Sequence, residues 1–384
     1  MRHRVRLLIV TETYPPEING VAMTTGRMVA GLRARGHWVG LVRPRRGKGD
    51  ADAAPEWTVP GVPLPNYPGV KLGLPAWRRL SGLMRSQRPD VVHIVTEGPL
   101  GWAALWAARR LGLPVTSGYH THFDQYSGHY GLGWIAPLVT RSLDALHRRC
   151  QATLVPAAEL APALAARGIP NVQVVGRGVD TDLFNPGRRS PELRRAWGVN
   201  GEETLVCLHV GRLAPEKNLD LVVRAFDAIA REWPGTRMVW VGEGPALPRL
   251  RAAHPGHIFV GARVGEDLAR HYASADLFLF ASLSETWGNV LGEAMASGLG
   301  VVAFRRAAGA SLVRHGENGM APMPGDAAGF IAAACRLAGE GELRGRLGRQ
   351  ACQDLAPHAW DGILDRLEIT LEQAALGRDG AAQG

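Results

Sequence analysis

The sequence lacks any long apolar run. No segment approaches the roughly 18 to 20 consecutive apolar residues that a membrane-spanning helix requires. The opening stretch MRHRVRLLIV is followed at once by polar residues, which predicts a first β-strand and not a signal peptide. We therefore expect a cytoplasmic protein that is bound peripherally to the cytoplasmic face of the membrane.

Cysteine and two familiar motifs are also scarce or missing. The four cysteines, at positions 150, 207, 335 and 352, show neither a C-x-x-C pair nor metal-ligand spacing. This pattern is typical of a reducing compartment with unpaired thiols. No complete G-x-G-x-x-G follows a predicted strand, which argues against a nicotinamide-dependent dehydrogenase.

Negative charge is sparse in the first half of the chain. Residues 1–185 hold 22 of the 44 Lys and Arg residues but only 12 of the 35 Asp and Glu residues, so they account for the net charge of +9. The basic stretches 27–48, 77–88 and 141–149 lack a nucleic-acid-binding motif or interleaved aromatic residues, so we expect no nucleic-acid partner. Solvated helix faces and a surface for anionic membranes both explain the charge.

Tryptophans accompany these basic stretches. An aromatic ring beside Arg side chains suits a membrane interface, although ordinary core packing explains any one of the rings equally well. The tryptophans concerned are Trp77, Trp102, Trp106 and Trp134.

Short Val-, Ile- and Leu-rich runs alternate with helical patterns along the whole chain. Six such runs precede residue 186, from VRLLIV to VQVVGRGV, and five follow it, from TLVCLHVG to GVVAF. The alternation predicts an α/β fold with two doubly wound, Rossmann-like domains of parallel strands facing a central cleft. We place the domains at 1–185 and 186–355, with a helix at 356–376 that could return to the first domain.

Two glutamates stand out in the segment SLSETWGNVLGEAMASGLG. Glu285 and Glu293 are separated by seven residues, which on one continuous helix places their backbones about 12 Å apart. A glycosidase acid and nucleophile lie closer, at roughly 5 to 9.5 Å. The pair could hold one elongated ligand at two places. Alternatively, Glu285 complements a helix dipole and Glu293 lies on a solvated face.

Two cations follow a predicted strand in the segment LHVGRLAPEKNLD. The strand ends at Gly211, and Arg212 and Lys217 lie in the loop before the next helix. Cations beside a helix N-terminus form an anion site, although a basic loop without a ligand remains an alternative.

These segments, in this order, resemble glycosyltransferase family four. The motifs HVGRLAPEKNLD, VWVGEGP, SADLFLFASLSETWGNVLGEAMASGLGVVA and HGENG resemble its nucleotide-binding half, and TETYPPEINGVAMTTGRMVAGLRARGH its N-terminal opening. The resemblance implies a GT-B fold and transfer of a sugar from a nucleotide-sugar with retention of configuration. It also implies that Glu285 lies by the donor sugar, Glu293 holds the ribose, and Arg212 and Lys217 neutralise the leaving diphosphate without a metal.

The resemblance implies roles for further residues. His120, in GYHTHFDQY, matches a histidine that hydrogen bonds near the donor sugar. The remaining donor-side residues would be Gly20, Gly211, Glu243, Asn289 and Val290. The acceptor-side residues would be Asn19, Tyr119 and Asp180.

Two acidic or histidine-rich clusters contain side chains that bind metals in other proteins. His120, His122, Asp124 and His129 alternate near a strand end, and Asp180 and Asp182 form an Asp-x-Asp. Alternating histidines at a strand end are a weak metal signal, and the resemblance, through a similar RGVD stretch, implies that Asp180 is structural or on the acceptor side. We therefore expect no metal and no other cofactor.

The HTHFDQY segment and LPNYPGVKLGLP resemble the branch of sulfoquinovosyl-diacylglycerol synthases and GDP-mannose-dependent α-mannosyltransferases. The branch implies GDP-mannose or a UDP-hexose as donor and diacylglycerol or a glycolipid as acceptor. Ala307, Ala308 and Ser311 stand where many members have Gly-Gly-x-x-Glu, which leaves the donor sugar open. A nucleotide-sugar epimerase and a non-catalytic protein that binds sugar nucleotides or membrane surfaces remain the alternatives.

Overall fold

The computed structural model describes residues 4–381 except 18, 48, 64–70, 121–135, 200, 202, 286 and 356–357. The chain forms two compact units. Among the described residues, the first unit contains those up to Arg177 and those from Asp361 onward, and the second runs from Gly178 to Trp360. The sequence placed the boundary near residue 186, whereas the units divide between Arg177 and Gly178.

The first unit is built on a parallel sheet of seven strands. Its strands, with a separate hairpin of β4 and β5, are β1 (Arg6–Val10), β2 (Trp38–Pro44), β3 (Glu56–Val59), β4 (Gly61–Pro63), β5 (Lys71–Gly73), β6 (Val91–Ile94), β7 (Val115–Gly118), β8 (Ala152–Val155) and β9 (Val172–Val174). The order across the sheet is β3-β2-β1-β6-β7-β8-β9. The helices are α1 (Gly20–Ala34), α2 (Trp77–Gln87), α3 (Pro99–Arg110), α4 (Ala136–His147) and α5 (Leu160–Ala166).

The second unit is built on a parallel sheet of five strands in the order β12-β11-β10-β13-β14. These strands are β10 (Val206–Val210), β11 (Arg237–Val241), β12 (Ile258–Gly261), β13 (Leu277–Phe280) and β14 (Gly300–Ala303). The helices are α6 (Pro191–Ala196), α7 (Leu219–Glu232), α8 (Leu247–Ala253), α9 (Gly265–Ser274), α10 (Asn289–Ala296), α11 (Ala308–Leu312), α12 (Ala327–Gly339) and α13 (Gly341–Leu355). The closing helix is α14 (Trp360–Ala381).

The central strands are apolar because helices cover both faces of each sheet. Leu8 and Val10 of β1 pack with Val92 and Ile94 of β6 in the core of the first unit, and Leu100 of α3 covers them. Strands buried on both faces read as continuous hydrophobic runs, which is why the sequence predicts them well. The predicted α/β class, with two doubly wound units, is confirmed.

The closing helix α14 packs on the first unit through a cluster of charges. Arg35, at the end of α1, donates hydrogen bonds to Asp365 at 2.9 Å and to Glu368 at 3.0 Å. His37 lies 3.1 Å from the other oxygen of Glu368, which is only 3% exposed. A Cβ on Gly31 would lie 2.4 Å from a methyl of Leu364, so α1 and α14 touch closely at a glycine.

No helix in the described ranges is long and apolar enough to cross a membrane.

Candidate functional site

The predicted donor residues of the second unit lie where neighbouring strands end. Arg212 and Lys217 follow β10, and Glu285 follows β13, which is the neighbour of β10 in the sheet. Because the carboxyl ends of parallel strands share one edge, these side chains come together there. The Lys217 ammonium donates a hydrogen bond to the Glu285 carboxylate and forms an ion pair with it.

A buried glutamate, Glu216, contacts residues on both sides of this ion pair. Glu216 is 3% exposed, and its carboxylate lies 3.3 Å from Nη1 of Arg212. Its backbone carbonyl accepts a hydrogen bond of 3.1 Å from the Ser284 hydroxyl. The loops after β10 and β13 are therefore joined through backbone and side chain. Glu216 lies within the motif HVGRLAPEKNLD, but no spacing rule indicated a role for it.

Glycines bring the loops after β10 and β11 into close contact. A Cβ on Gly242 would lie 1.9 Å from the carbonyl oxygen of Gly211, and one on Gly244 would lie 2.3 Å from that of Leu213. Both residues also have positive φ, +138° and +154°, which side-chain-bearing residues rarely adopt. The V-G-E-G segment is thus explained by backbone packing at the sheet edge. Glu243, between the glycines, is exposed.

The two glutamates of the Glu-x7-Glu pattern do not share a helix. The sequence predicted a helix beginning near Glu285, and this was wrong, because α10 begins at Asn289. Gly288 precedes it with φ of +94°, a left-handed conformation outside the helical region, so the helix does not extend back to Glu285. Glu285 therefore lies in the loop, and the 12 Å helical separation does not apply. Asn289 and Val290 form the first turn of α10.

Glu293 lies on α10 and is partly buried. Its carboxylate accepts a hydrogen bond of 2.9 Å from the hydroxyl of Tyr272, a side chain on α9 that is fully buried. Burial raises the pKa of Glu293 to about 7, and the Tyr272 hydrogen bond opposes that rise. The carboxyl thus changes charge near neutral pH. No feature of the sequence pointed to Tyr272.

In the first unit, Asn19 and Gly20 form the start of α1. The Asn19 side chain accepts a hydrogen bond of 2.8 Å from the Ala22 amide, which caps the helix, and donates one of 2.7 Å to the Thr13 hydroxyl. Asn19 and Gly20 therefore form the turn at a capped helix N-terminus, which follows β1 at the carboxyl edge of the first sheet.

One buried arginine connects this turn with His120. Nη1 of Arg177 donates to the Gly20 carbonyl at 2.9 Å and to the Thr24 hydroxyl at 2.7 Å, and Nη2 lies 3.0 Å from Nδ1 of His120. Arg177 is 5% exposed. Burial, and secondly the Arg177 charge, holds the pKa of His120 well below its usual range. No motif or spacing in the sequence indicated a role for Arg177.

Tyr119 and Asp180, predicted on the acceptor side, make further contacts. Tyr119 is buried against His147, with ring centroids 5.4 Å apart, and Asp180 accepts a hydrogen bond of 3.1 Å from the Leu183 amide. His122, Asp124, His129 and Trp134 lie outside the described residues. Within the described part of the chain, no group of three or more His, Cys, Asp or Glu side chains is arranged to hold a metal.

Two Rossmann-like units, with cations and carboxylates at the strand ends of the second, define a glycosyltransferase of the GT-B class. The family model for Glycosyltransferase Family 4 matches residues 18–183, and that for Glycosyl transferases group 1 matches residues 204–340. The chain belongs to glycosyltransferase family 4.

Curated relatives agree with this family. The chain is 37% identical over 305 residues to a GDP-mannose-dependent alpha-mannosyltransferase of Mycobacterium tuberculosis, a match that covers 78% of this chain and 79% of the relative. It is 31% identical to the sulfoquinovosyl transferase SQD2 of Arabidopsis thaliana, over 82% of this chain and 62% of that protein. It is 27% identical to an alpha-monoglucosyldiacylglycerol synthase of Streptococcus pneumoniae, over 78% and 71%. The predicted branch is confirmed.

Solved structures share the fold. Sucrose-phosphate synthase from Thermosynechococcus elongatus matches with a TM-score of 0.75 at 17% identity, over 99% of this chain and 100% of that chain. HepE from Anabaena, solved in complex with UDP, matches with a TM-score of 0.74 at 19% identity, over 96% and 100%.

Proposed function

We propose that this enzyme transfers a hexose from a nucleotide diphosphate sugar to a hydroxyl of a lipid or glycolipid, with retention of the anomeric configuration. The observation that carries the proposal is the contact between Lys217 and Glu285. In such a donor the sugar is bonded directly to the terminal phosphate. A carboxylate for the sugar and a cation for that phosphate must therefore be neighbours, and these two side chains are.

The charges at the second sheet suit the bond that breaks. When the bond between the anomeric carbon and the phosphate oxygen breaks, its electron pair stays on the diphosphate, whose negative charge increases. Arg212 and Lys217 supply fixed positive charge there, and preorganised charges of this kind stabilise the transition state. We propose that they replace a divalent metal, so that activity persists in a chelator.

Retention follows if the acceptor attacks the face from which the diphosphate departs. The acceptor oxygen forms the new bond to the anomeric carbon, and its proton passes to the departing phosphate oxygen. No enzyme carboxylate is then required as a nucleophile. In this scheme Glu285 binds sugar hydroxyls, and Glu293 accepts hydrogen bonds from the two ribose hydroxyls.

The acceptor proposal draws on relatives and on the surface of the first unit. The names of two relatives specify GDP-mannose as donor and a diacylglycerol glycolipid as product. Trp77, on α2, is 51% exposed and Trp106, on α3, is 70% exposed. Arg109 and Arg110, at the end of α3, are also exposed. Exposed aromatic rings beside arginines favour binding to an anionic membrane surface.

The test is a transfer assay on the purified protein. GDP-mannose, UDP-glucose, UDP-galactose and UDP-glucuronate are each supplied with and without vesicles that contain diacylglycerol, in buffer with a chelator. We expect nucleotide release from one donor, a strong increase with vesicles, and an α-linked glycolipid by NMR. Release that ignores vesicles would contradict the lipid acceptor, and a β-linked product would contradict retention. Conversion of the donor into its epimer without nucleotide release would contradict transfer itself.

A further inference from the structure

Arg177 fixes the hydrogen-bonding role of each nitrogen of His120. A guanidinium can only donate hydrogen bonds and stays charged in proteins, so a ring nitrogen facing it must accept. Nη2 of Arg177 lies 3.0 Å from Nδ1 of His120. In a neutral imidazole one nitrogen accepts and the other carries the proton. The proton of His120 therefore belongs on Nε2.

The same contact keeps His120 neutral. Because Nε2 already carries a proton, adding one to Nδ1 would make the ring a cation. That proton would break the hydrogen bond and place two cations in contact in a buried site, where charge repulsion is poorly screened. His93 and His147 add smaller unfavourable effects, and burial is the largest cause of the low pKa of His120. Gly20 and Thr24, which also accept hydrogen bonds from Arg177, cannot take up positive charge.

Gly118 determines where the ring lies. A Cβ at position 118 would be 2.4 Å from Nε2 of His120, so any side chain there would displace the imidazole. Arg177 thus holds one nitrogen of the ring, and the bare backbone of β7 makes room for the other.

We propose that Arg177 is a positioning residue that sets His120 as a neutral Nε2–H hydrogen-bond donor and couples it to the Gly20 turn of α1. The proposal rests on the proposed function and on the family resemblance, which implies that His120 hydrogen bonds near the donor sugar. His120 then serves as a donor of fixed orientation over the neutral pH range, and not as a general acid or base. Arg177 needs no contact with substrate to act.

The direct test is the protonation state of His120 by ¹H–¹⁵N NMR of the ring nitrogens, with His120→Asn to identify its signals. In the wild type we expect the Nε2–H form throughout pH 5 to 8. Arg177→Met removes the donor and the charge, so His120 should populate both tautomers and become protonated at higher pH. Arg177→Lys keeps a charged donor and should restore the Nε2–H form.

Kinetics separate positioning from stability. Misplacement of a group in the site can reduce a rate by about a hundredfold, so we expect a kcat loss of that order in Arg177→Met with the donor KM changed little. Its kcat should also become pH-dependent as His120 titrates, and Arg177→Lys should recover part of the loss. The control is Arg43→Met, which removes another buried arginine of the first unit, one that pairs with Asp50. That variant should lose stability without altering the His120 signals.

A proton on Nδ1 of wild-type His120 would overturn the proposal, and so would an unchanged tautomer and pH profile in Arg177→Met. The wild-type measurement decides the question even where the methionine variant fails to fold. If the wild type transferred a sugar from none of the donors, the proposed function would be contradicted. The NMR result would still decide the role of Arg177.

Discussion

Lys217 is the cation that contacts Glu285 in the proposed diphosphate site. It lies at the end of a short 3₁₀ turn, Pro215–Lys217, two residues before α7 begins at Leu219, and its ammonium is held by Glu285. The pairing orients the cation towards the sheet edge. The same position at an exposed surface would leave the side chain mobile and its charge screened.

We therefore expect Lys217→Ala to reduce kcat by about two to three orders of magnitude, because one preorganised charge at the transition state is lost. Single-turnover transfer from the preferred donor measures the effect, and Lys217→Arg should retain part of the rate. The fold control is Lys71→Ala, which removes a lysine of the β4–β5 hairpin. Near-wild-type turnover in Lys217→Ala would refute the diphosphate site.

Glu293 gives a pH prediction with a definite sign. Its pKa is about 7 in the free protein, so below pH 7 it is mostly protonated. Two ribose hydroxyls donating to the carboxylate favour its charged form and lower that pKa. Nucleotide binding should therefore release up to one proton at pH 6 and almost none at pH 8, and affinity should weaken as the pH falls below 7.

Calorimetry of nucleotide binding in buffers of different ionisation enthalpy measures that proton. Glu293→Gln should abolish the release. Glu12→Gln is the matched control, since Glu12 is a buried carboxyl of the first unit whose pKa is also raised to about 7 by burial. Proton release that survives in Glu293→Gln, or disappears in Glu12→Gln, would show that Glu293 does not bind the ribose.

Ala307 is held in a backbone conformation that suits glycine. Its φ is +50° and its ψ is −121°, immediately before α11. Such conformations cost an L-residue on the order of 1 to 3 kcal/mol, partly offset by the greater entropy of glycine in the unfolded chain. We expect Ala307→Gly to raise the free energy of unfolding by about 1 kcal/mol. Ala310→Gly, at an exposed position within α11, should lower it by about 1 kcal/mol. Chemical denaturation of both variants checks the opposite signs.

At the scale of elements, α14 is attached to the first unit by charges as well as by apolar packing. Arg35 pairs with Asp361, Asp365 and Glu368, and Glu368 also contacts His37. Loss of Arg35 removes a permanent positive charge that pairs with the nearly fully buried Glu368, which is destabilising because the carboxylate is poorly solvated.

Arg35→Met should therefore increase hydrogen exchange along α14 more than elsewhere and lower the free energy of unfolding by about 3 kcal/mol. Exchange measured by mass spectrometry gives the local effect. Arg366→Met, at an exposed position of α14 itself, is the control and should leave exchange unchanged. Equal protection of α14 in both variants would show that apolar packing alone holds the helix.

The sequence predicted elements whose cause is local and missed those whose cause is tertiary. The strands around β1 and β10 were predicted because continuous apolar runs are required where both faces are buried. The short strand β3 was missed, since EWTV is a brief segment between Pro- and Gly-rich stretches. The start of α10 was misplaced because Gly288 adopts a positive φ, which the neighbouring residues in the sequence do not indicate.

The same distinction applies to the candidate site. Arg212, Lys217 and the two glutamates lie within recognisable motifs. Arg177 acts through Thr24 and His120, which are 153 and 57 residues away in the chain, and no spacing rule connects positions that far apart. Tyr272 donates a hydrogen bond to Glu293 from another helix, and no spacing rule connects these two positions either.

At the scale of the whole molecule, the excess of positive charge and the exposed tryptophans both belong to the first unit. Membrane attraction contributes about 1 kcal/mol for each Lys or Arg near an anionic surface. The combined variant Arg109→Glu and Arg110→Glu should therefore weaken partition onto anionic vesicles at least about 30-fold, measured by flotation.

The matched control for this charge reversal is Arg346→Glu with Arg349→Glu, two exposed arginines on α13 of the second unit. It changes the net charge equally but lies outside the proposed membrane surface of the first unit, so it should alter partition much less. Equal losses in both variants would mean that binding follows total charge. Wild-type partition that is indifferent to anionic lipid would contradict the proposed membrane surface.

The position of α14 bears on how the protein is made. Residues from Asp361 onward complete the first unit, yet the ribosome must synthesise the second unit, from Gly178 to Trp360, before they emerge. At about 5 to 20 residues per second this delay lasts roughly 10 to 40 s. Until then the nascent first unit exposes the apolar side of α1 that α14 will cover. The interval is a window in which a nascent-chain chaperone could bind and in which premature termination would leave an aggregation-prone fragment.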